Sequence, residues 1–160
     1  MGSTTIIRGF KVSVPTLDVF LAANNEYETY GTPPFYRDHP NKDAISKLLF
    51  SRVAQHDPDA DKNRFRVLMP SLESWGRAKT AYVAYAWAAV VAHREVKMDK
   101  DLPPEIPKGF EELRQEILGH GKDVKEEDKI ADEGSLGVYM VVTYDIRGYY
   151  GEELLTSEGH

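Results

Sequence analysis

Residues 80–92 form a run of thirteen positions without charge or histidine, and what this run becomes decides the fold class. It is too short to cross a membrane as a helix, which takes about 20 apolar residues, so it reads as a core element. The run is apolar on every side, and its period therefore does not arbitrate between helix and strand. Its alanine content favours a helix, with Ser74 available as a cap. Tyr82, Val83, Tyr85, Trp87, Val90 and Val91 favour a strand. We read a long central strand over 79–95, entered through a turn at Glu73-Ser74-Trp75-Gly76.

The neighbouring segments give the strand its context. Residues 4–14 alternate Ile6, Phe10, Val12 and Val14 against Lys11 and Ser13, with Arg8 as the exception, and read as a strand. Pro15 and Thr16 open a short helix to Ala23, with Leu17, Phe20 and Leu21 on one face. A second helical piece over 43–54 aligns Ile45, Leu48, Leu49 and Val53. Residues 64–70 alternate Phe65, Val67 and Met69 as another strand. After an extended proline-rich stretch over 100–108, residues 107–119 read as a helix with Phe110, Leu113, Ile117 and Leu118 inward and Gly119 as its stop. Residues 136–146 are the cleanest strand, with Leu136, Val138, Met140, Val142, Tyr144 and Ile146 on one side. Between these lie an aromatic and proline-bearing loop (24–41), a charged connection (122–134) and a loose tail (151–160). The order is that of a ferredoxin-like βαββαβ sandwich, an α+β fold with an antiparallel sheet and helices on one face. A chain of 160 residues fits a single domain, 1–160.

Strand parity then assigns faces. The even residues of 136–146 are apolar and belong under the helices, so Tyr139, Val141, Thr143 and Asp145 face away. On the central strand the small even residues suit close helix approach, so Tyr85, Trp87, Val91 and His93 join the open side. A one-residue bulge would reverse part of this assignment. Monomers rarely leave so large an apolar patch exposed, so a second copy, a loop or a ligand should cover it. We expect a homodimer.

Composition removes whole classes of function. The chain has no cysteine, which excludes disulfide scaffolds, cysteine nucleophiles and thiolate metal sites. A formal charge of −6 disfavours nucleic-acid binding, even though Tyr85 and Trp87 sit where an RNA-recognition sheet would stack bases. The amino-terminal stretch carries Arg8 and Lys11 within its first apolar run and lacks a signal-peptide pattern; Ile6 breaks the myristoylation pattern. We expect a cytoplasmic protein with no membrane association.

Motif chemistry is sparse. Asp57-Pro-Asp-Ala-Asp-Lys-Asn63 resembles the start of a calcium loop, but Lys62 stands where a glycine is needed and Leu68 where a bidentate Glu belongs. It reads as a polar turn. The glycines at 119–121 and 134–137 do not lie between a strand and a helix, and there is no HExxH or GxSxG. We expect no metal and no cofactor.

His93 closes the apolar run on the inferred open face, where Asp145 could orient it as a general base and Tyr85 could donate a hydrogen bond. Trp87 and Tyr139 from the same face, with Tyr36, Arg37 and His39 from the aromatic loop, are the candidate ligand-binding residues. Two functions follow. One is a binding domain for a small molecule or protein, using the open face or a loop-covered pocket. The other is a small cofactor-independent enzyme of lyase or isomerase type with His93 as base.

Overall fold

β1 (Gly2–Ser13) lies at the centre of the sheet and pairs along both of its edges. The computed structural model describes residues 2–24, 42–68, 80–93, 95–144 and 150–157. Antiparallel to β1 on one side is β3 (Thr80–Ala89), and on the other β4 (Leu136–Tyr144). The short β2 (Arg66–Leu68) pairs with β3, and β5 (Tyr150–Ser157) pairs with β4, also antiparallel. The result is a mixed α+β chain whose five-stranded sheet has the order β2-β3-β1-β4-β5. The β-branched and aromatic run over 80–92 thus becomes a strand, as its residue types favour, but it ends at Ala89. Val90, Val91 and His93 lie exposed beyond it. The segment read as a loose tail instead contributes β5. The turn at 73–76 lies outside the described residues.

Among the described residues four α-helices accompany the sheet: α1 (Val14–Ala23), α2 (Lys42–His56), the one-turn α3 (Met98–Asp101) and α4 (Lys108–Gly119). Their apolar stripes meet one face of the sheet. Leu17, Phe20 and Leu21 of α1, Ile45, Leu49 and Val53 of α2, and Phe110, Leu113 and Ile117 of α4 are buried there. They cover Ile6, Phe10 and Val12 of β1 and Leu136 and Val138 of β4. Phe110 is the hub: its ring makes edge contacts with Phe10 at 5.5 Å and with Tyr85 at 4.9 Å between centroids. Edge-to-face pairs of this kind add about 1 kcal/mol beyond the area they bury.

Polar contacts fix how the helices enter. Ser13 precedes α1, and its hydroxyl meets Thr16 Oγ1 at 2.8 Å. Both its backbone N–H, at 2.9 Å, and its hydroxyl are hydrogen-bonded to the Glu133 carboxylate. An acid from the far end of the charged connection therefore sits at a helix N-terminus, where the macrodipole favours negative charge. The connection is thus anchored at this end; Gly134, at φ 86°, also donates its N–H to the Lys11 carbonyl at 2.7 Å.

The other sheet face departs from expectation. Ile7, Tyr82, Ala84, Tyr139 and Val141 form a second cluster there, none more than 1% exposed, with Leu68 and Trp87 against it. Tyr139 and Val141, which motivate the pairing of a second copy, are already buried within one chain.

The parity of β4 is as the sequence implies, with even residues toward the helices. On β3 it is not. Ala81, Val83 and Tyr85 face the helices, and so do Ala86 and Ala88, while Tyr82, Ala84 and Trp87 face away. The switch lies at a bulge: Arg8 pairs with Ala86 but Gly9 pairs with Ala84, leaving Tyr85 as the extra residue. Gly9 permits it, because a Cβ there would overlap the Val83 carbonyl oxygen and lie 2.7 Å from the Ala84 Cα.

Gly9→Ala should therefore lose about 3 kcal/mol in urea unfolding, since both neighbours are backbone and cannot turn aside. Gly119→Ala, whose Cβ would meet nothing within 4 Å, should leave stability unchanged or raise it by up to about 1 kcal/mol. Equal midpoints for the two variants would contradict the close approach of β1 and β3.

Candidate functional site

A cavity of about 390 Å3 opens where the end of α2, the turn after it, β3 and the segment before α4 converge. Each wall has a local cause. α2 stops at His56 because Asp57-Pro58 follows, and the chain turns with the Ala60 N–H bonding the Asp57 carbonyl at 2.9 Å. Asp61 then caps a single 3-10 turn over Lys62–Arg64, its Oδ1 accepting from the Asn63 N–H at 2.9 Å. That turn delivers Phe65 to the cavity and leads into β2. On the opposite wall, Pro103, Pro104 and Pro107 hold the chain extended between α3 and α4. The strap is tied down by the Tyr85 hydroxyl, which donates to the Pro104 carbonyl at 3.2 Å.

The two walls are joined at the start of α4. Pro107 occupies its N-cap and contributes no side-chain cap. Asp57, arriving from the end of α2, accepts a hydrogen bond from the Gly109 N–H on Oδ2. The contact requires glycine, because a Cβ at 109 would overlap the Val53 carbonyl oxygen. Close crossing of α2 and α4 thus brings a carboxylate to a helix N-terminus.

The lining is graded from apolar floor to acidic rim. Val53, Tyr85, Ala86 and Phe110 are buried, and Phe50 and Phe65 are half-buried. The rings form a chain of edge contacts, Phe50 to Phe65 at 5.7 Å, Phe65 to Phe110 at 6.4 Å and Phe110 to Tyr85 at 4.9 Å. Around the mouth stand Asp57, Asp59, Asp61 and Glu105, opposed by Arg64. Arg64 Nε lies 3.8 Å from Asp61.

Of the candidate catalytic and ligand-binding residues, Tyr85 alone among the described ones lines this cavity. It does so on the helix side of the sheet, where the bulge turns it, and not on the face that parity assigns. Trp87 and Tyr139 are on the opposite face. The Trp87 Nε1–H donates to the Asn63 carbonyl at 2.9 Å, and the Arg66 guanidinium lies 4.2 Å from its ring centroid. Tyr139 donates to the Ser135 carbonyl at 2.8 Å. These contacts brace the sheet. His93 does not close a buried strand: it is exposed, with φ 68°, past the end of β3. Asp145, Tyr36, Arg37 and His39 lie outside the described residues.

In the sequence Phe65 reads as a strand residue, Phe110 as the inward face of a helix and the 57–61 acids as a turn, and the pattern of 43–54 does not single out Phe50. These descriptions are sound locally; only the tertiary crossing of α2 with α4 makes these residues one site. Gly109, just inside a helix start, and Gly9, inside a strand, were the available signals of close backbone approach. Among the described residues no group of three or more His, Asp or Glu side chains is placed to hold a metal ion. No family model, curated protein or solved structure matches the chain.

Replacing Asp57 tests the junction between the walls. Asp57→Ala should lower unfolding stability by about 1 kcal/mol, as lost caps do, and Asp57→Asn by less, because its amide oxygen still accepts. Two variants as stable as wild type would show that the Gly109 N–H is satisfied without this side chain.

Proposed function

We propose that this chain is a small-molecule-binding domain whose site is the groove between α2, β3 and the proline strap. The observation that carries the reading is the cavity of about 390 Å3 with a floor of aromatic rings and a charged mouth. Ligand sites are typically concave, of roughly 300–1,000 Å3, mostly apolar, with a few polar groups at fixed positions. The wall elements are held by the Tyr85–Pro104 and Asp57–Gly109 hydrogen bonds, so little ordering is left for a ligand to supply.

The same proposal assigns the chain to the ferredoxin-like βαββαβ architecture with one strand added. Its support is the strand order β2-β3-β1-β4 with antiparallel pairing at every step, α1 and α2 preceding β2, and α3 and α4 preceding β4. A cytoplasmic location belongs to this reading too. It draws on the absence of cysteine from the sequence and agrees with there being, among the described residues, no helix long and apolar enough to cross a membrane.

The test is a fragment screen followed by amide chemical-shift mapping. Binders should perturb residues 57–65, 85–86 and 103–110 together. Phe65→Ala should weaken them about tenfold, corresponding to about 1.4 kcal/mol of lost ring contact. Shifts confined to other parts of the sheet, or a screen without a single hit, would overturn the assignment of the groove.

A further inference from the structure

We propose that the groove selects a small organic cation, an ammonium group carried on an aromatic or aliphatic body. The inference rests on the groove being a ligand site and adds the charge of what enters it.

Three features converge on that charge. The first is the imbalance of the mouth, where, among the described residues, Asp57, Asp59, Asp61 and Glu105 face one cation, Arg64. Two of the acids are already engaged by backbone: Asp57 by the Gly109 N–H and Asp61 by the Asn63 N–H. Asp61 also lies within 3.8 Å of Arg64, so Arg64 has its counter-charge. Asp59 and Glu105 remain, exposed on opposite walls, and among the described residues neither carboxylate has a hydrogen bond or an ion pair. Their negative charge is available to a ligand.

The second feature is the floor. The half-buried rings of Phe50 and Phe65, backed by the buried Phe110 and Tyr85, offer apolar area for the body of a ligand, and a ring face also attracts an ammonium group. An anion gains nothing from those faces and meets the acids on entry. The third is the long-range field: a chain of net charge −6 draws cations toward it, and a concave site whose charges are predominantly acidic, over a low-dielectric floor, concentrates that field.

Three probes with one ring and different charge separate this inference from the reading beneath it: 2-phenylethylamine, 2-phenylethanol and 3-phenylpropionate. Each is titrated at low ionic strength into the full chain while the Phe65, Tyr85, Ala86 and Glu105 amides are followed. The amine should bind at least about tenfold tighter than the carboxylate, and about 0.15 M salt should narrow the gap because the acids are exposed. In the Asp59→Asn/Glu105→Gln double variant the amine should fall toward the alcohol, whose own affinity should stay at its wild-type value. Amine and carboxylate binding equally well, or an amine unaffected by the double variant, would overturn the charge selection while leaving the groove as a binding site. Silence of all these amides toward all three probes would overturn the groove reading, and the cation with it.

Discussion

The close approach of β1 to β3 at Gly9 is the constraint from which the site follows. Because no Cβ stands at that position, the Val83 carbonyl and Ala84 can move in, and β3 accommodates one extra residue opposite β1. In an unbroken strand, neighbouring side chains point to opposite faces. Here Tyr85 and Ala86 are consecutive and both line the cavity, which only the bulge permits. The same inserted residue sends Trp87 to the far face, where its indole N–H reaches Asn63. One backbone irregularity therefore sorts the aromatic residues of the central strand into a site residue and a brace.

Rim and floor of the groove do different physical work. The floor belongs to the main core: Phe110 is fully buried and touches Phe10, Phe65 and Tyr85, so its ring contributes the few kcal/mol expected of a buried aromatic side chain. The rim contributes less energy but sets the separation of the walls, through hydrogen bonds from Tyr85 to the strap and from Gly109 to Asp57. Behind the rim, Arg52 ties α2 to both neighbouring helices, pairing with Glu116 of α4 at 3.7 Å and donating to Asn24 just after α1. The helices beneath the groove are thus locked to one another as well as to the sheet.

Local patterns made much of this architecture legible. β4 was readable because its even positions are wholly apolar, and α4 because Phe110, Leu113 and Ile117 recur at helical spacing and Gly119 stops it. β3 was readable as a strand from its β-branched and aromatic content but not in its register. Alternation predicts a face only while no residue is inserted, and the Gly9 that allows the insertion lies on another strand. The inserted residue puts Tyr85 on the face opposite to the one parity assigns, and because β3 ends at Ala89, His93 lies in an exposed turn and not at the end of a strand on the open face. The groove was hidden for a further reason: its acids and rings come from segments some fifty residues apart, joined at the Val53–Gly109 crossing. Residues 151–160 carry no local pattern that marks a strand, yet a strand at the end of a sheet takes its order from backbone pairing, here with β4.

The acids around the groove have a cost that the fold distributes unevenly. Asp57, Asp59 and Asp61 crowd three like charges into one turn, which opposes folding of the turn unless each is solvated or bonded. The backbone resolves two of them, using the N-terminus of α4 for Asp57 and the 3-10 turn for Asp61. It leaves Asp59 to water, facing Glu105 across a mouth whose floor is aromatic. On a flat surface such carboxylates would be screened and nearly inert. Above an apolar floor they have less water to answer their field on one side, and their attraction for a cation seated there is correspondingly stronger. Burial of the rings and exposure of the acids are thus two halves of one arrangement: the floor that stabilises the core also sharpens the charge of the mouth.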